Sequence, residues 1–233
     1  MKKDVVIVGG GCIGLMSAYC LQKSGRSVTV IDKSDITNGT SFGNAGLLSS
    51  FKKAPLSAPG AIPDTIKLML KGESPASVHP TLDLHLYKWL LKFAASSNQA
   101  RLKRTLALFE RYGQVSLDMY ESMVKEDGMD FHFCKDGLLM IYTEQKTFDA
   151  KAAHCEDPHA YEILSKERTK EYMPILNDKV ICSILLKENG HIDPGEFMVE
   201  LKKYLESKGV EFLLDEKVDN APTLIGLFKA PLL

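Results

Sequence analysis

The residues best placed to do chemistry lie between 5 and 33, VVIVGGGCIGLMSAYCLQKSGRSVTVIDK, where three spaced glycines precede an acid. An apolar run, Val5–Val8, meets Gly9-x-Gly11-x-x-Gly14. A helix-period segment follows, then a second apolar run, Val28–Ile31, which ends in Asp32. Strand, glycine turn, helix, strand and acid in this order are the pattern of a dinucleotide site. Gly9 permits the tight turn off the strand, Gly11 leaves the backbone open to a pyrophosphate, and Gly14 lets the helix pack closely on the sheet. Free N–H groups where the helix starts, around Cys12 and Ile13, point at the phosphates. Asp32, followed by Lys33, stands where a carboxylate accepts hydrogen bonds from a ribose. A Rossmann-like fold that binds nothing is the competing reading, because fold alone does not prove function.

These residues need a sheet and helices to hold them. The apolar spacing predicts a first helix over 13–24, with Ile13, Met16, Cys20 and Leu21 on one stripe and Gly25 as its stop. A polar, glycine-bearing loop covers 34–50, and prolines 55, 59 and 63 keep the chain irregular until a short helix at 64–70. Leu82, Leu86, Trp89, Leu90 and Phe93 predict a helix over 82–95. A longer one follows, with Leu102, Leu106, Phe109, Leu117, Tyr120 and Val124 as its stripe and Gly128 as its end. Strands return at 137–143 and 180–186, separated by a charged stretch, 144–173, that reads as two or three short surface helices. A helix over 194–207 and a strand over 210–214 complete the pattern, and this late group is positioned to rejoin the opening sheet. The last residues, APTLIGLFKAPLL, are apolar but broken by two prolines and a glycine, and suggest a truncated chain or an altered reading frame.

Composition narrows the partners. A net charge of −1 over 233 residues gives no electrostatic reason to expect nucleic acid. The apolar run after the two N-terminal lysines is too short for a signal peptide, and no stretch has the length of a membrane span. Five cysteines, odd in number and without a Cys-x-x-Cys pair, read as reduced thiols of a cytoplasmic protein. The six histidines are scattered without ligand spacing, so no metal site is expected. Arg101, Arg104 and Arg111 read as a solvated helix face, and no strongly amphipathic basic helix stands out. The absence of a Gly-Lys-Ser/Thr ending excludes a P-loop.

Five stretches together resemble the flavin-dependent amine and amino-acid oxidoreductases, a family that includes D-amino acid dehydrogenase, glycine oxidase and sarcosine oxidase. They are 5–21, VTVIDK at 28–33, TSFGNAGLLS at 40–49, KDGLLMIY at 135–142, and 191–218. The loop at 40–49 is the most diagnostic and resembles the D-amino acid dehydrogenase branch. The resemblance implies an α/β fold: a Rossmann-like FAD-binding domain of glutathione-reductase type with an inserted α+β substrate domain, truncated here. Residues 1–50 and 190–220 would form the discontinuous FAD domain, 51–189 part of the substrate domain, and 221–233 an atypical tail. The implied cofactor is FAD. Its contacts would be Gly9, Gly11, Cys12, Ile13, Gly14, Asp32, Lys33, the loop residues Thr40, Ser41, Asn44, Ala45, Gly46 and Leu47, and the backbone of Val218. Ser41, Asn44 and Gly46 are also ordinary turn residues. The implied reaction is oxidative deamination of a D-amino acid or related amine, with electrons passing to a quinone or similar acceptor. Family members are about twice as long, and the missing length carries the substrate-binding residues, so no catalytic residue is named. The alternatives are a non-catalytic remnant, one half of a split enzyme completed by a second chain, and an NAD(P)-dependent dehydrogenase, since Asp32 suits either cofactor. The expected location is cytoplasmic, with peripheral attachment to the inner membrane left open.

Overall fold

The computed structural model describes residues 4–49, 58–70, 72, 81, 83–155 and 157–219. In chain order its elements are β1 (Val5–Val8), α1 (Cys12–Lys23), β2 (Val28–Ile31), β3 (Leu47–Ser49), α2 (Ala61–Leu70), α3 (Leu84–Ala95), α4 (Gln99–Lys125), β4 (Leu138–Tyr142), α5 (Gln145–Ala152), β5 (Tyr161–Ser165), α6 (Lys166–Tyr172), β6 (Cys182–Leu186), β7 (Asn189–His191), α7 (Pro194–Ser207) and β8 (Glu211–Leu213). They form two compact units, residues 1–48 with 119–233, and residues 49–118.

The first unit is built on a parallel sheet of order β1-β2-β8. Val5 lies opposite Val28 and Val8 opposite Ile31, while Thr29 to Ile31 face Glu211 to Leu213. All four residues of β2 are buried, as a central parallel strand requires. Leu15, Ala18 and Tyr19 of α1 and Phe197, Met198, Leu201 and Leu205 of α7 are buried in the same core, joined by Tyr120, Met123 and Phe131. Helix α7 begins where its sequence says it should: Pro194 needs no N–H donor in the first turn, and the Asp193 carboxylate accepts from Glu196 N at 2.9 Å. A separate antiparallel sheet, β4-β6-β5, has Leu138 opposite Leu186 and Tyr161 opposite the same Leu186, with every residue of β6 buried. Strands β3 and β7 form a two-stranded pair.

Several expectations shift. The charged stretch holds α5 and α6 as predicted, but Tyr161–Ser165 between them is a strand, paired along its length with β6. Of the late strands, β8 joins the opening sheet, whereas Cys182–Leu186 lies in the antiparallel sheet instead. Leu47–Ser49 is a strand inside what reads as a loop. Helix α2 starts at Ala61, three residues early, because Pro63 falls in its first turn. Leu82, Pro55, Ser50, His79 and the tail 221–233 lie outside the described residues.

The second unit contains α2, α3 and the first twenty residues of α4, 99–118. Asp83 caps α3 by accepting from His85 N at 2.8 Å, yet none of that helix's residues is buried. No helix among the described residues is long and apolar enough to cross a membrane.

Asp127, in the turn after α4, ties three helices of the first unit together. Its carboxylate accepts from Tyr19 Oη at 2.5 Å and Tyr204 Oη at 2.9 Å, and pairs with Lys23 Nζ at 2.9 Å. Its side chain is 9% exposed. Burial alone would raise its pKa, but the donors from Tyr19, Lys23 and Tyr204 outweigh that and hold it below the usual carboxylate range. The same contact, with burial as the larger cause, pushes Tyr19 up to about 12.

Replacing Asp127 by Ala leaves two half-buried hydroxyls without their acceptor, while the Lys23 ammonium stays partly in water, and is expected to cost about 2 kcal/mol in urea denaturation. Because the folded-state pKa is depressed, the carboxylate's contribution is complete above its unfolded pKa of about 4 and fades as pH falls through the lower folded value. The stability gap between wild type and D127N should therefore be flat near neutrality and shrink in acid. A gap independent of pH down to acid unfolding would contradict this role.

Candidate functional site

The turn from β1 into α1 is closed by backbone contact. Gly9 adopts φ +107°, which only glycine takes without strain, and its N–H bonds to Ile31 O at 2.7 Å. A Cβ on Gly14 would stand 1.9 Å from Gly9 O and 3.4 Å from Ile7 Cγ2, so the helix can approach the strand this closely only with glycine there. The cap residue of α1 is Gly11, which offers no side-chain acceptor to the helix start. Leu15 N bonds to Gly11 O at 2.9 Å, and Cys12 N donates to Ser41 Oγ at 3.0 Å. The N–H groups of Ile13 and Gly14 find no acceptor among the described residues. They are donors at the positive end of a helix, the arrangement that receives phosphate oxygens.

Asp32, at the end of β2, does more within the protein than its spacing foretells. Its Oδ2 accepts from Gly10 N at 2.6 Å, and its Oδ1 accepts from both Ser34 N and Ser34 Oγ at 2.9 Å. Burial raises its pKa, and the bonds from Gly10 and Ser34 more than reverse that, leaving it lowered and ionised at neutral pH. A carboxylate has about four acceptor positions, so one on Oδ2 is left for a ligand hydroxyl. Sequence reasoning missed Gly10 and Ser34. The signal for Gly10 is the unbroken Gly9-Gly10-Gly11: a Cβ there would lie 2.7 Å from Ile36 Cγ2. Ile36 is itself buried with φ +69°, a costly conformation for a β-branched residue, and it seals the underside of this corner.

The loop after β2 divides the remaining candidates. Ser41 reaches the helix tip, as described. A Cβ on Gly11 would lie 3.2 Å from Ser41 Oγ, so the second glycine makes room for the serine as well as for a ligand. Asn44 spends both ends of its amide locally, donating to Ser41 O at 2.7 Å and accepting from Gly46 N at 2.7 Å, which is the turn-building role. Gly46 is buried with φ +64°, and a Cβ would fall 2.0 Å from Ile192 O. Ile192 N in turn donates to Gly46 O at 3.0 Å, docking the loop on the approach to α7. Lys33, Thr40, Ala45 and Leu47 are exposed, and Val218 is half-buried beyond the end of β8, outside any strand. Thus Gly9, Gly11, Cys12, Gly14, Asp32 and Ser41 are linked at the β1–α1 corner by the contacts above, Ile13 stands exposed on the same helix tip, and no such link among the described residues reaches Val218.

Two further residues border the site. Tyr120 Oη lies 3.8 Å from Cys12 Sγ, and burial, followed by the neighbouring thiol, raises the phenol's pKa. Phe42 lines a cleft of about 620 Å³ with Asp130, His132, Asp193, Glu196 and Lys203. His132 pairs with Glu196, and that partner raises its pKa. With more carboxylates than cations, this cleft does not suit a diphosphate.

The family model described as FAD dependent oxidoreductase (DAO) matches residues 4–226. A D-amino acid dehydrogenase of Helicobacter pylori is 57% identical over 218 residues, covering 94% of this chain and 53% of the relative. The chain thus spans about half the length of the curated relatives it matches. Among solved structures, L-proline dehydrogenase from P. horikoshii aligns with a TM-score of 0.62 at 19% identity, over 94% of this chain and 46% of that one. L-alpha-glycerophosphate oxidase from Mycoplasma pneumoniae, solved with FAD bound, aligns with a TM-score of 0.58 at 17% identity, over 94% and 47%. These two likenesses concern the fold.

Gly14→Ala should force α1 off β1 and lower stability by about 2 kcal/mol, read as a fall in Tm. Gly43→Ala is the control: nothing lies within 4 Å of its added methyl group, so it should stay within about 0.5 kcal/mol of wild type. Equal Tm values for the two variants would mean that the close approach at Gly14 is not required.

Proposed function

The chain belongs to the FAD-dependent oxidoreductase family, and from that premise we propose that it holds FAD and serves the oxidative deamination of a D-amino acid or related amine to a 2-oxo acid and ammonia. The observation that carries the proposal is the glycine-closed corner. Its contacts leave the Ile13 and Gly14 N–H groups open at a helix tip, with an ionised Asp32 bonded to the same turn. This donor set fits the adenine-dinucleotide part of FAD, a diphosphate joined to a ribose.

Flavin, when bound, supplies the two-electron oxidation of the substrate's Cα–N bond. The chain's own residues supply placement. Gly9, Gly11, Cys12, Ile13 and Gly14 form the diphosphate cradle, where backbone donors stabilise negative charge without moving. Asp32 holds the cradle's turn through Gly10 and offers its last acceptor position to a ribose hydroxyl, with Lys33 beside it. Ser41 steadies the helix tip from the loop. Within that loop Thr40, Asn44, Ala45, Gly46 and Leu47 form the wall toward the flavin, Asn44 by shaping it. The Val218 backbone is assigned to the adenine edge. In domain terms, 1–50 with 190–220 form the cofactor part and 51–189 part of the substrate domain.

The substrate class follows the Helicobacter pylori relative, which is called a D-amino acid dehydrogenase and shares 57% of the aligned residues. Electrons would leave to a quinone or similar acceptor. Because the chain spans 53% of that relative, the rest of the substrate pocket would come from further polypeptide, continuous or supplied as a second chain. We read the location as cytoplasmic, with peripheral attachment to the inner membrane. Membership of an FAD-dependent family displaces the nicotinamide reading.

Titrating the purified chain with FAD should quench flavin fluorescence saturably, while NADH should not compete. D32A should weaken FAD binding at least about tenfold, the equivalent of about 1.4 kcal/mol for one charge-assisted hydrogen bond. A colourless protein that takes up no added FAD would overturn the assignment.

A further inference from the structure

The first turn of α1 has one side chain with which to anchor itself. Gly11 and Gly14 carry none, and Ile13 is 82% exposed. Cys12 remains, half-buried and packed against the core. It is held at both ends. Its N–H donates to Ser41 Oγ at 3.0 Å, and its Sγ lies 3.8 Å from Tyr120 Oη. The free amides of Ile13 and Gly14 follow directly in the chain, so the way Cys12 is fixed sets the direction in which they point.

Tyr120 is a fixed point for that contact. It lies near the end of α4, in the same compact unit as the corner, and is 6% exposed. Its ring meets Phe197 at 5.1 Å and Phe131 at 6.2 Å, and those two rings meet each other edge to face at 5.2 Å. Aromatic contacts of this geometry hold a ring in one orientation. Packing alone does not need the hydroxyl. A phenylalanine would fill the same space, and burying a hydroxyl is costly unless it finds a partner. Among the described residues, the one polar partner of this hydroxyl is Cys12 Sγ. Burial raises the phenol's pKa and so keeps it neutral and able to donate.

We propose that Tyr120 is a positioning residue for the cofactor: through its contact with Cys12 it aligns the first turn of α1, so that the Ile13 and Gly14 N–H groups meet the diphosphate of FAD already oriented. The inference deepens the FAD reading given above and rests on it. Tyr120 acts through Cys12 from the core side of the helix tip, as Ser41 does from the loop side. Donors that need no ordering when the ligand arrives bind it more tightly.

The test is a double-mutant cycle on the full chain, with FAD binding and thermal unfolding read separately. Y120F should weaken FAD binding about fivefold, the share of one hydrogen bond. Its Tm should stay within about 2 °C of wild type, because the thiol left behind behaves as a small apolar group. C12A should weaken binding to the same extent, and Y120F/C12A no further. C12S, which offers Tyr120 a hydroxyl partner, should bind FAD within about twofold of wild type and lose that affinity once Y120F is added. A readout without flavin is amide NMR: Y120F should shift the Ile13 and Gly14 resonances and leave Gly43 in place. Three results would overturn the proposal while FAD still binds wild type: equal affinity of Y120F, losses that add in the double variant, or a fall in Tm that matches the weaker binding. Unmoved Ile13 and Gly14 resonances would overturn it as well. A wild-type chain that takes up no FAD would instead overturn the cofactor reading, and this inference with it.

Discussion

The contact between Gly14 and the carbonyl of Gly9 governs the rest of the site. No side chain can stand between them, since even a methyl carbon would lie 1.9 Å from that oxygen. The helix therefore starts directly against the strand, and its first free amides project from the end of the sheet instead of being buried under it. Every other feature of the corner serves the same geometry. The positive φ of Gly9 turns the chain, Ile36 fills the space below Gly10, and the Asp32 carboxylate pins the turn to the end of β2. A ligand diphosphate would meet donors already in position, which is why such a site needs little reorganisation to stabilise charge.

Preorganisation at the tip of α1 requires that the helix be held along its length. Leu15 and Ala18 pack into the core with α7, and Tyr19 and Lys23 near its far end converge with Tyr204 on Asp127. An apolar core alone tolerates small rotations of a helix. A half-buried carboxylate with three donors resists them, because any slip gives up hydrogen bonds that are largely shielded from water. The unit at 49–118 follows a different logic: its α3 has no buried residue and turns apolar side chains outward among lysines.

What the sequence made legible was local. The glycine spacing, the two apolar runs of the opening sheet and the Asp193-Pro194 start of α7 each encode their structure within a few residues, and each appears where expected. What it hid depends on partners far along the chain. YEILS lies in charged surroundings, and its identity as a strand comes from pairing with Cys182–Leu186. The three-residue strands β3 and β7 have no periodicity to detect and exist because they bond to each other. Tyr19 and Asp127 are 108 residues apart, and nothing in either neighbourhood announces their meeting. At the site, spacing located Asp32 but not its work for Gly10 and Ser34, and residue type alone did not distinguish Ser41, which reaches the helix tip, from Asn44, which folds its own loop. The apolar spacing of α3 was legible too, but which side of it faces water was not.

Amide hydrogen exchange on the chain with and without FAD tests the central claim most directly. The amides of Ile13 and Gly14, which find no acceptor among the described residues, should exchange fast alone and become protected when FAD is added. Unchanged exchange across 9–15 at saturating FAD, or protection confined to other parts of the chain, would contradict a diphosphate held at this helix tip.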